Sequence, residues 1–211
     1  MAGTVKRDLR AARIAETEGR ILRAATDLFV ADGYPATTLA AVAAAAGVAD
    51  RTVYLRFGTK AALLRRAVDV AIVGDQLPVD VTGRDWFRLA MTAPTLAERI
   101  AALAAGARGI MERAGAILAV AFGAEATEPV LAEAAAAGRL ATRDMLRGFW
   151  HQVAADGLLP AGADAGWLGD TTSVLAAAET YRLIQRTLDY DPDRYEAWLR
   201  DTLTRLAAIP T

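Results

Sequence analysis

The chain has 211 residues, of which 54% are hydrophobic, and its 24 basic and 25 acidic side chains give a net charge of −1. With only 7 prolines and no sustained alternation of apolar and polar residues, the composition predicts an all-α protein of one or two domains with a substantial core. The lack of cysteine excludes a disulfide framework and a cysteine-ligated metal site, and the single histidine offers little for metal chemistry.

The hydropathy pattern gives no sign of a membrane protein. No run of about 18 uncharged apolar residues is long enough to cross a bilayer, and residues 1–20 are too charged for a signal peptide. We therefore expect a cytoplasmic protein without a membrane partner. No cofactor and no bound metal are expected.

Charge is unevenly distributed along the chain. Residues 1–66 carry 11 basic and 6 acidic side chains, a net charge of +5, whereas residues 67–211 carry 13 and 19, a net charge of −6. A local surplus of positive charge is what phosphate binding requires, although an uneven solvated surface gives the same count. The asymmetry supports a nucleic-acid-binding segment in the N-terminal third.

The first 17 residues contain basic side chains but few large apolar ones before Ile14. Two interpretations stay open for this segment: a frayed terminus, or a flexible basic arm that reaches DNA beside the main contact. The basic residues are Lys6, Arg7, Arg10 and Arg13.

A first helix is predicted from Thr17 to Ala31, because apolar residues recur on one face and Gly33 follows as a helix end. That apolar face needs a partner, which two short helices after Thr38 supply. Together the three helices form one compact unit. The apolar face consists of Ile21, Ala25, Leu28 and Phe29.

The second helix is predicted to start after Thr38, whose side chain is placed to cap it. Gly47 ends this helix, since glycine readily adopts the left-handed conformation that a C-terminal cap needs. Its buried face combines Leu39, Val42, Ala43 and Ala46.

The third helix is predicted from about Asp50 to Phe57. Val53 and Phe57 lie on the side that packs against the protein. Two helices joined by a short turn, with a polar outward face on the second, are typical of a helix-turn-helix. The outward face carries Arg51, Thr52 and Leu55.

The run from Gly33 to Leu63 resembles the DNA-binding signature of the TetR family of bacterial repressors. So many agreements over about thirty residues are far more specific than a short glycine motif. The resemblance is strong over the first third of the chain and general elsewhere. The matching residues are Gly33, Tyr34, Thr38, Val42, Ala43, Ala46, Gly47, Val48, Thr52, Val53, Tyr54, Phe57, Lys60 and Leu63.

The resemblance implies two domains and about nine helices in all. Residues 1–75 would form the helix-turn-helix DNA-binding domain, with the basic arm and a linking fourth helix that begins at the cap Thr59. Residues 76–211 would form a helical domain for effector binding and dimerisation. We place the boundary between Val73 and Gln76, where helical spacing gives way to an irregular segment that reaches Pro94.

A helix of about eight residues fits the major groove, where each base pair shows its own donors and acceptors. Arg51, at the start of this helix, is a candidate for a bidentate contact with guanine, and Leu55 for a contact with a thymine methyl. The resemblance implies backbone phosphate contacts that fix the register without reading bases. These contacts are Thr38, Thr52, Tyr54 and Lys60, with Arg56 as a further candidate.

Two positions depart from the family pattern. Ala49 replaces a small hydroxyl residue, and Asp50 adds a negative charge at the groove entrance. We expect Asp50 to cap the helix in place of Ala49, with a hydrogen bond from cytosine as the alternative. Tyr54 as a packing residue and Leu55 as an ordinary exposed leucine are also open alternatives.

Helical spacing resumes in the C-terminal two thirds. We predict helices over residues 95–111, 114–124, 129–155, 164–188 and 192–208. The last two have wide apolar surfaces, and the resemblance implies that they pair with their copies in a second subunit as a homodimer interface.

The resemblance also implies a small-molecule effector, whose binding changes the separation of two recognition helices and so their affinity for a DNA operator. Few ionisable groups lie among the candidate lining residues, which favours an apolar or aromatic effector. Core packing is the competing role for each residue, and an exposed or core histidine is the competing role for His151. The candidates are Trp86, Phe87, Met111, Phe122, Met145, Phe149, Trp150, His151 and Tyr181.

Three functions compete at this stage. The first is a homodimeric, ligand-responsive repressor that binds double-stranded DNA. The second is a DNA-binding regulator controlled by a protein partner. The third is a small helical enzyme, for which the sequence offers no cysteine, no histidine–acid spacing and no phosphate-binding glycine loop. We therefore predict a regulator and not an enzyme.

Overall fold

The structure is a computed structural model that describes residues 2–74 and 81–209, with side chains from residue 12 onward in the first range. Within these residues it contains ten α-helices, one 3₁₀ turn and no strand, which confirms the all-α prediction. The helices are α1 (Ala2–Ala36), α2 (Leu39–Ala46), α3 (Asp50–Phe57), α4 (Lys60–Val73), α5 (Asp85–Thr92), α6 (Leu96–Ala124), α7 (Pro129–Ala155), α8 (Ala165–Leu175), α9 (Ala178–Leu188) and α10 (Pro192–Ala207), and the 3₁₀ turn is Val81–Gly83.

The helices pack into two compact units. The first comprises Met1–Leu77 together with Ala116–Glu133, and the second comprises Pro78–Gly115 together with Ala134–Thr211. Segment 116–133 thus belongs to the unit that contains the helix-turn-helix. Of the predicted boundary between Val73 and Gln76, the Gln76 end lies outside the described residues.

The first unit has a continuous apolar core. The predicted faces of the three N-terminal helices meet there, because amphipathic helices this short are stable only when their apolar sides are covered. Segment 116–133 contributes four further buried residues to the same core. Residues at 0% exposure include Ile21, Phe29, Val42, Val53, Leu63 and Leu64, and the buried residues from segment 116–133 are Ile117, Ala121, Ala124 and Leu131.

Helix α1 starts much earlier than predicted. It begins at Ala2 and not at Thr17, because the intervening residues are mostly good helix formers without proline, and an existing helix extends at little cost. It is interrupted where expected, at Gly33, which has φ 80° and ψ 167°. The side chains of the proposed basic arm up to residue 11 lie outside the described residues, so a DNA contact by the arm stays a prediction.

The second unit differs from the sequence prediction at α5 and α6. The irregular segment before Pro94 contains α5, and α6 (Leu96–Ala124) is one helix and not two. The start of α6 has a capping box that its T-x-x-E sequence signals: Thr95 Oγ1 donates to Glu98 Oε2 at 2.7 Å and accepts from Glu98 N at 3.2 Å. The predicted gap consists of Glu112 and Arg113, which are both good helix formers, so α6 continues through it.

The predicted helix over residues 164–188 is interrupted at Ala176 and Ala177, which separate α8 from α9. No proline or glycine marks this break. The Thr180 hydroxyl donates to Val174 O at 2.6 Å. In a continuous helix this carbonyl would accept a hydrogen bond from a backbone N–H four residues later, so the side chain competes with the helical hydrogen bond.

Helix α10 begins as predicted, with Pro192 at the first helical position after the Asp191 cap. Its predicted pairing with a copy in a second subunit stays a prediction. Its main apolar side chains are buried in its own unit, which is the usual outcome for a helix with apolar residues along one stripe. These residues are Tyr195, Leu199, Leu203 and Ala207, each 0% exposed.

Candidate nucleic-acid interface

Helix α2 has the caps and the buried face that the sequence predicted. Thr38 Oγ1 accepts a hydrogen bond from Ala41 N at 3.1 Å, and Gly47 adopts the left-handed conformation with φ 65° and ψ 41°. Val42 and Ala43 are fully buried. The helix is therefore fixed at both ends and along one side, and it provides a rigid support for α3.

Helix α3 presents the predicted outward face. Val53 is fully buried, whereas Leu55 and Tyr54 are 70% and 65% exposed. Arg51 is exposed and Thr52 is half-buried. The expected exposure of the outward face is confirmed, and the exposure of Tyr54 does not fit a packing role. Contact of these residues with DNA stays a prediction.

The capping role predicted for Asp50 is wrong. Ala49 occupies the cap position without a side-chain hydrogen bond, and Asp50 is the first residue of α3. A carboxylate in the first turn is favourable beside the free N–H groups of a helix N-terminus, so Asp50 stabilises the helix by its charge and not as the cap. Its alternative role as an acceptor for cytosine is untested.

Arg56, at the far end of α3, lies close to an acidic residue of α1. Its Nη1 is 3.9 Å from Glu18 Oε2, and Glu18 Oε1 accepts a hydrogen bond from Arg66 Nε at 3.2 Å. Partial neutralisation by Glu18 reduces the positive charge that Arg56 can offer to a phosphate.

Lys60 is held inside the first unit. Its ammonium donates to Tyr34 O at 2.7 Å and to Pro35 O at 3.3 Å, and Nζ lies 4.2 Å from the centroid of the Tyr34 ring. Two of its three protons thus satisfy carbonyl groups just after the Gly33 interruption. The phosphate contact predicted for Lys60 is untested, but its charge already has a role in holding α1 to α4.

Tyr34 and Glu128 form a contact that sequence reasoning missed. The Tyr34 hydroxyl donates to Glu128 Oε1 at 2.7 Å across a separation of 94 residues. Burial raises the pKa of Tyr34, with further contributions from the hydrogen bond and from the charge of Glu128, so Tyr34 stays a neutral donor. No local pattern signals this pair, because the partner comes from segment 116–133.

The candidate effector residues are divided between the two units. Phe122 belongs to the first unit, and the others belong to the second. Trp86 and Phe87 are in edge-to-face contact, as are Phe149 and Trp150. His151 is exposed.

The indole N–H of Trp150 has a hydrogen-bond partner within the second unit. Its Nε1 donates to Thr172 Oγ1 at 2.8 Å, and Thr172 in turn donates to Leu168 O at 2.7 Å. All three residues are buried. Their arrangement fits the core-packing alternative for Trp150, although an effector contact is untested.

The described part of the chain can also be compared with the requirements of a metal site and of a membrane span. It has no cluster of three or more histidine or acidic residues arranged to hold a metal ion. None of its helices is long and apolar enough to cross a membrane.

Residues 21–67, which include the whole helix-turn-helix, match the family model for bacterial regulatory proteins of the tetR family. Residues 21–67 of the chain therefore carry a DNA-binding segment of the tetR-family type. The model describes bacterial regulatory proteins, which supports the prediction of a regulator and not an enzyme. No curated protein matches the chain.

Solved structures of TetR-family proteins share the fold over nearly the whole chain. A Mesorhizobium loti protein assigned to this family has 19% identity and a TM-score of 0.70, with 93% of this chain and 97% of that one covered. NalD, the secondary repressor of the MexAB-OprM multidrug efflux pump in Pseudomonas aeruginosa, has 23% identity and a TM-score of 0.64, with 90% and 95% covered. PfmR from Thermus thermophilus has 20% identity and a TM-score of 0.64, with 89% and 97% covered. At these identities the likeness establishes the fold alone.

Proposed function

We propose that the protein is a homodimeric repressor that binds a palindromic operator through α3 and is released by a small apolar or aromatic effector. The observation that carries this proposal is that Arg51 and Leu55 are exposed on one face of the short helix α3, while Val53 anchors its opposite side in the core. Residues 1–75 would bind DNA, and residues 76–211 would bind the effector and form the dimer. The repressor role follows the example of NalD.

Arg51 and Leu55 would read base edges in the major groove. Both side chains project from α3 without covering neighbours, and Arg51 has the planar donor pair that matches the guanine edge. Thr38, Thr52, Tyr54, Arg56 and Lys60 would contact phosphates and fix the register. Asp50 would bias the readout against bases with acceptors at its position.

The dimer surface is proposed on α8 and α9. Large apolar side chains are exposed there, whereas those of α10 are mostly buried, so α10 would contribute less than the sequence suggested. Several exposed large apolar side chains on neighbouring helices favour a protein interface. The exposed residues are Trp167 at 42%, Val174 at 64%, Leu183 at 63% and Leu188 at 48%.

An effector would act by linkage. Operator half-sites are about 34 to 36 Å apart, and the two α3 helices of the dimer must have a matching separation to bind both. An effector that binds more tightly to a dimer with another α3 separation therefore lowers operator affinity. The aromatic and methionine side chains of the second unit support an apolar or aromatic ligand. Among the sequence candidates, Trp86, Met111, Met145 and Tyr181 are the ones we retain for this role.

The operator proposal is tested by selection from a randomised DNA duplex library. We expect the selected sites to be palindromic with half-sites one helical turn apart, and light scattering to give a mass of two chains in solution. Selected sites without symmetry, or a strictly monomeric protein, would contradict the proposal.

The effector proposal needs a separate test. Thermal unfolding in the presence of a panel of apolar and aromatic compounds should identify one that raises the midpoint and releases the selected duplex. If no compound does both, control by a protein partner becomes the better explanation.

A further inference from the structure

Glu128 is fixed by its backbone at the corner between α6 and α7. Its N–H donates to Ala124 O at 3.0 Å, and its carbonyl accepts from Leu131 N at 2.9 Å and from Ala132 N at 3.1 Å. The residue thus closes the end of α6 and opens α7. Its carboxylate therefore has a defined position from which to hold another group.

The corner belongs to the core of the DNA-binding unit. Ile117, Ala121, Ala124 and Leu131 are all at most 9% exposed within the apolar cluster that also contains Val42 and Val53. Removing this segment from the cluster would expose apolar area, so it cannot be regarded as a passive extension of the second unit. The same two helices continue along the chain into residues that belong to the second unit.

Tyr34 connects the Glu128 carboxylate with Lys60. Its hydroxyl donates to Glu128, its ring stacks on Phe29 with centroids 5.9 Å apart, and its carbonyl accepts from the Lys60 ammonium. Lys60 is the first residue of α4, and only Gly58 and Thr59 separate it from the end of α3. The orientation of Tyr34 therefore bears directly on the segment that anchors the C-terminal end of α3.

We propose that Glu128 is a positioning residue for operator binding: through Tyr34 and Lys60 it fixes the start of α4 and thereby the end of α3. The α6–α7 corner would then affect operator binding through its own contact with Tyr34, and not through the chain connection that α4 provides. This inference rests on the proposed operator binding by α3, and it assigns no DNA contact to Glu128 itself.

Loss of the Glu128 carboxylate has two opposite expected effects on DNA affinity, one through its charge and one through its hydrogen bond. Loss of a carboxylate from a DNA-binding unit should strengthen DNA binding slightly, since less negative charge faces the phosphates. Loss of the positioning contact should weaken it. The direction of the change in Glu128→Ala therefore separates the two effects.

Four variants test the proposal in the full chain, with the wild-type-selected duplex as the DNA probe. We expect Glu128→Ala and Tyr34→Phe each to weaken binding about three- to tenfold, and the double variant to be no weaker than either single one, because both remove the same hydrogen bond. Glu128→Gln loses the charge but keeps an oxygen acceptor, so it should stay within about twofold of wild type.

Glu133→Ala is the matched control, since Glu133 is an exposed carboxylate in the same segment. It should leave binding unchanged or slightly tighter. A weakening in this control equal to that of Glu128→Ala would overturn the proposal, as would additive effects of Tyr34→Phe and Glu128→Ala. Circular dichroism should first show that every variant is folded at the temperature of the assay.

Amide hydrogen exchange provides a readout that does not need DNA. Glu128→Ala should accelerate exchange at residues 58–63, whereas Glu133→Ala and Glu128→Gln should not. Unchanged exchange at these residues would overturn the proposal even if binding were weaker. If the wild-type protein selects no duplex, the operator proposal fails, and the exchange result alone decides whether Glu128 positions the start of α4.

Discussion

The ammonium group of Lys60 lies over the ring of Tyr34, 4.2 Å from its centroid, and donates to the Tyr34 carbonyl at 2.7 Å. A single side chain thus combines a cation–π contact with a cap for the carbonyl groups that follow Gly33. The family signature contains both residues, and their contact gives a physical reason for the pairing. Lys60 is placed to stabilise the unit whether or not it also meets a phosphate.

Replacement of Lys60 should lower both stability and DNA affinity. Lys60→Met keeps the aliphatic stem but removes two charge-assisted hydrogen bonds, so we expect a loss of about 1 to 3 kcal/mol in the free energy of unfolding, measured by urea denaturation. DNA affinity should fall equally for selected and unrelated duplexes. Lys60→Arg keeps the charge and serves as the control. A variant as stable as wild type would show that the carbonyl contacts contribute nothing.

Replacement of Arg51 should change sequence preference. Arg51→Ala removes a side chain that projects from α3, so we expect a loss of about 1 to 3 kcal/mol in binding free energy and a relaxed preference at one base pair. Binding to a panel of single-base variants of the selected duplex measures this effect. Arg65→Ala, which removes an exposed positive charge from α4, should weaken all duplexes alike. The base-reading role is refuted if both variants give the same profile across the panel.

A charge on α9 should dissociate the proposed dimer. Leu183→Arg places a guanidinium in the exposed apolar surface of α8 and α9, where a subunit interface would have to bury it. Analytical ultracentrifugation should then show monomers at concentrations where wild type is dimeric. Leu89→Arg is the control, since Leu89 has a similar exposure of 56% on α5. Dissociation by Leu89→Arg alone would place the interface elsewhere.

Two helical glycines of the second unit should respond oppositely to alanine. A Cβ at Gly106 would overlap the Trp86 ring, whereas one at Gly148 would meet no atom within 4 Å. We therefore expect Gly106→Ala to destabilise by about 1 to 3 kcal/mol and Gly148→Ala to stabilise by about 0.5 to 1 kcal/mol. Thermal denaturation measures both changes. Equal stability of the two variants would show that Trp86 moves aside without cost.

Tyr195 should be replaceable by phenylalanine without loss of stability. Its hydroxyl is buried and has no hydrogen-bond partner among the residues that the structure describes, so Tyr195→Phe removes an unsatisfied group and should be neutral or stabilising by about 1 kcal/mol. Tyr34→Phe, which removes a paired hydroxyl, should instead be destabilising. A clear loss of stability in Tyr195→Phe would indicate that the hydroxyl has a partner, such as a bound water.

The same hydroxyl should make stability depend on alkaline pH. Burial raises the pKa of Tyr195, so the folded protein keeps a proton that the unfolded chain releases near pH 10. The contribution of Tyr195 is fully present below about pH 10, and it is lost as pH rises toward the raised pKa. Urea denaturation between pH 8 and 11 should therefore show a steeper decline for wild type than for Tyr195→Phe. Parallel curves would contradict the burial of this side chain.

Local sequence was sufficient to predict α2 with both of its caps, and the extent of α3. Thr38 and Gly47 have their effects within a few residues, and the alternation of Val53 with Arg51 and Leu55 around α3 follows from helical geometry alone. The start of α10 at Asp191 and Pro192 was predictable for the same reason. Each of these features depends on residues that are neighbours in the chain.

The tertiary structure decided the features that depend on distant residues. Helical spacing could not show that segment 116–133 completes the core under the helix-turn-helix, or that Glu128 pairs with Tyr34, because packing partners far apart in the chain leave no periodic signal. It also could not show that the apolar side of α10 is covered within its own unit while Leu183 stays exposed. An amphipathic pattern establishes that a face will be buried, but only the folded chain determines which surface covers it.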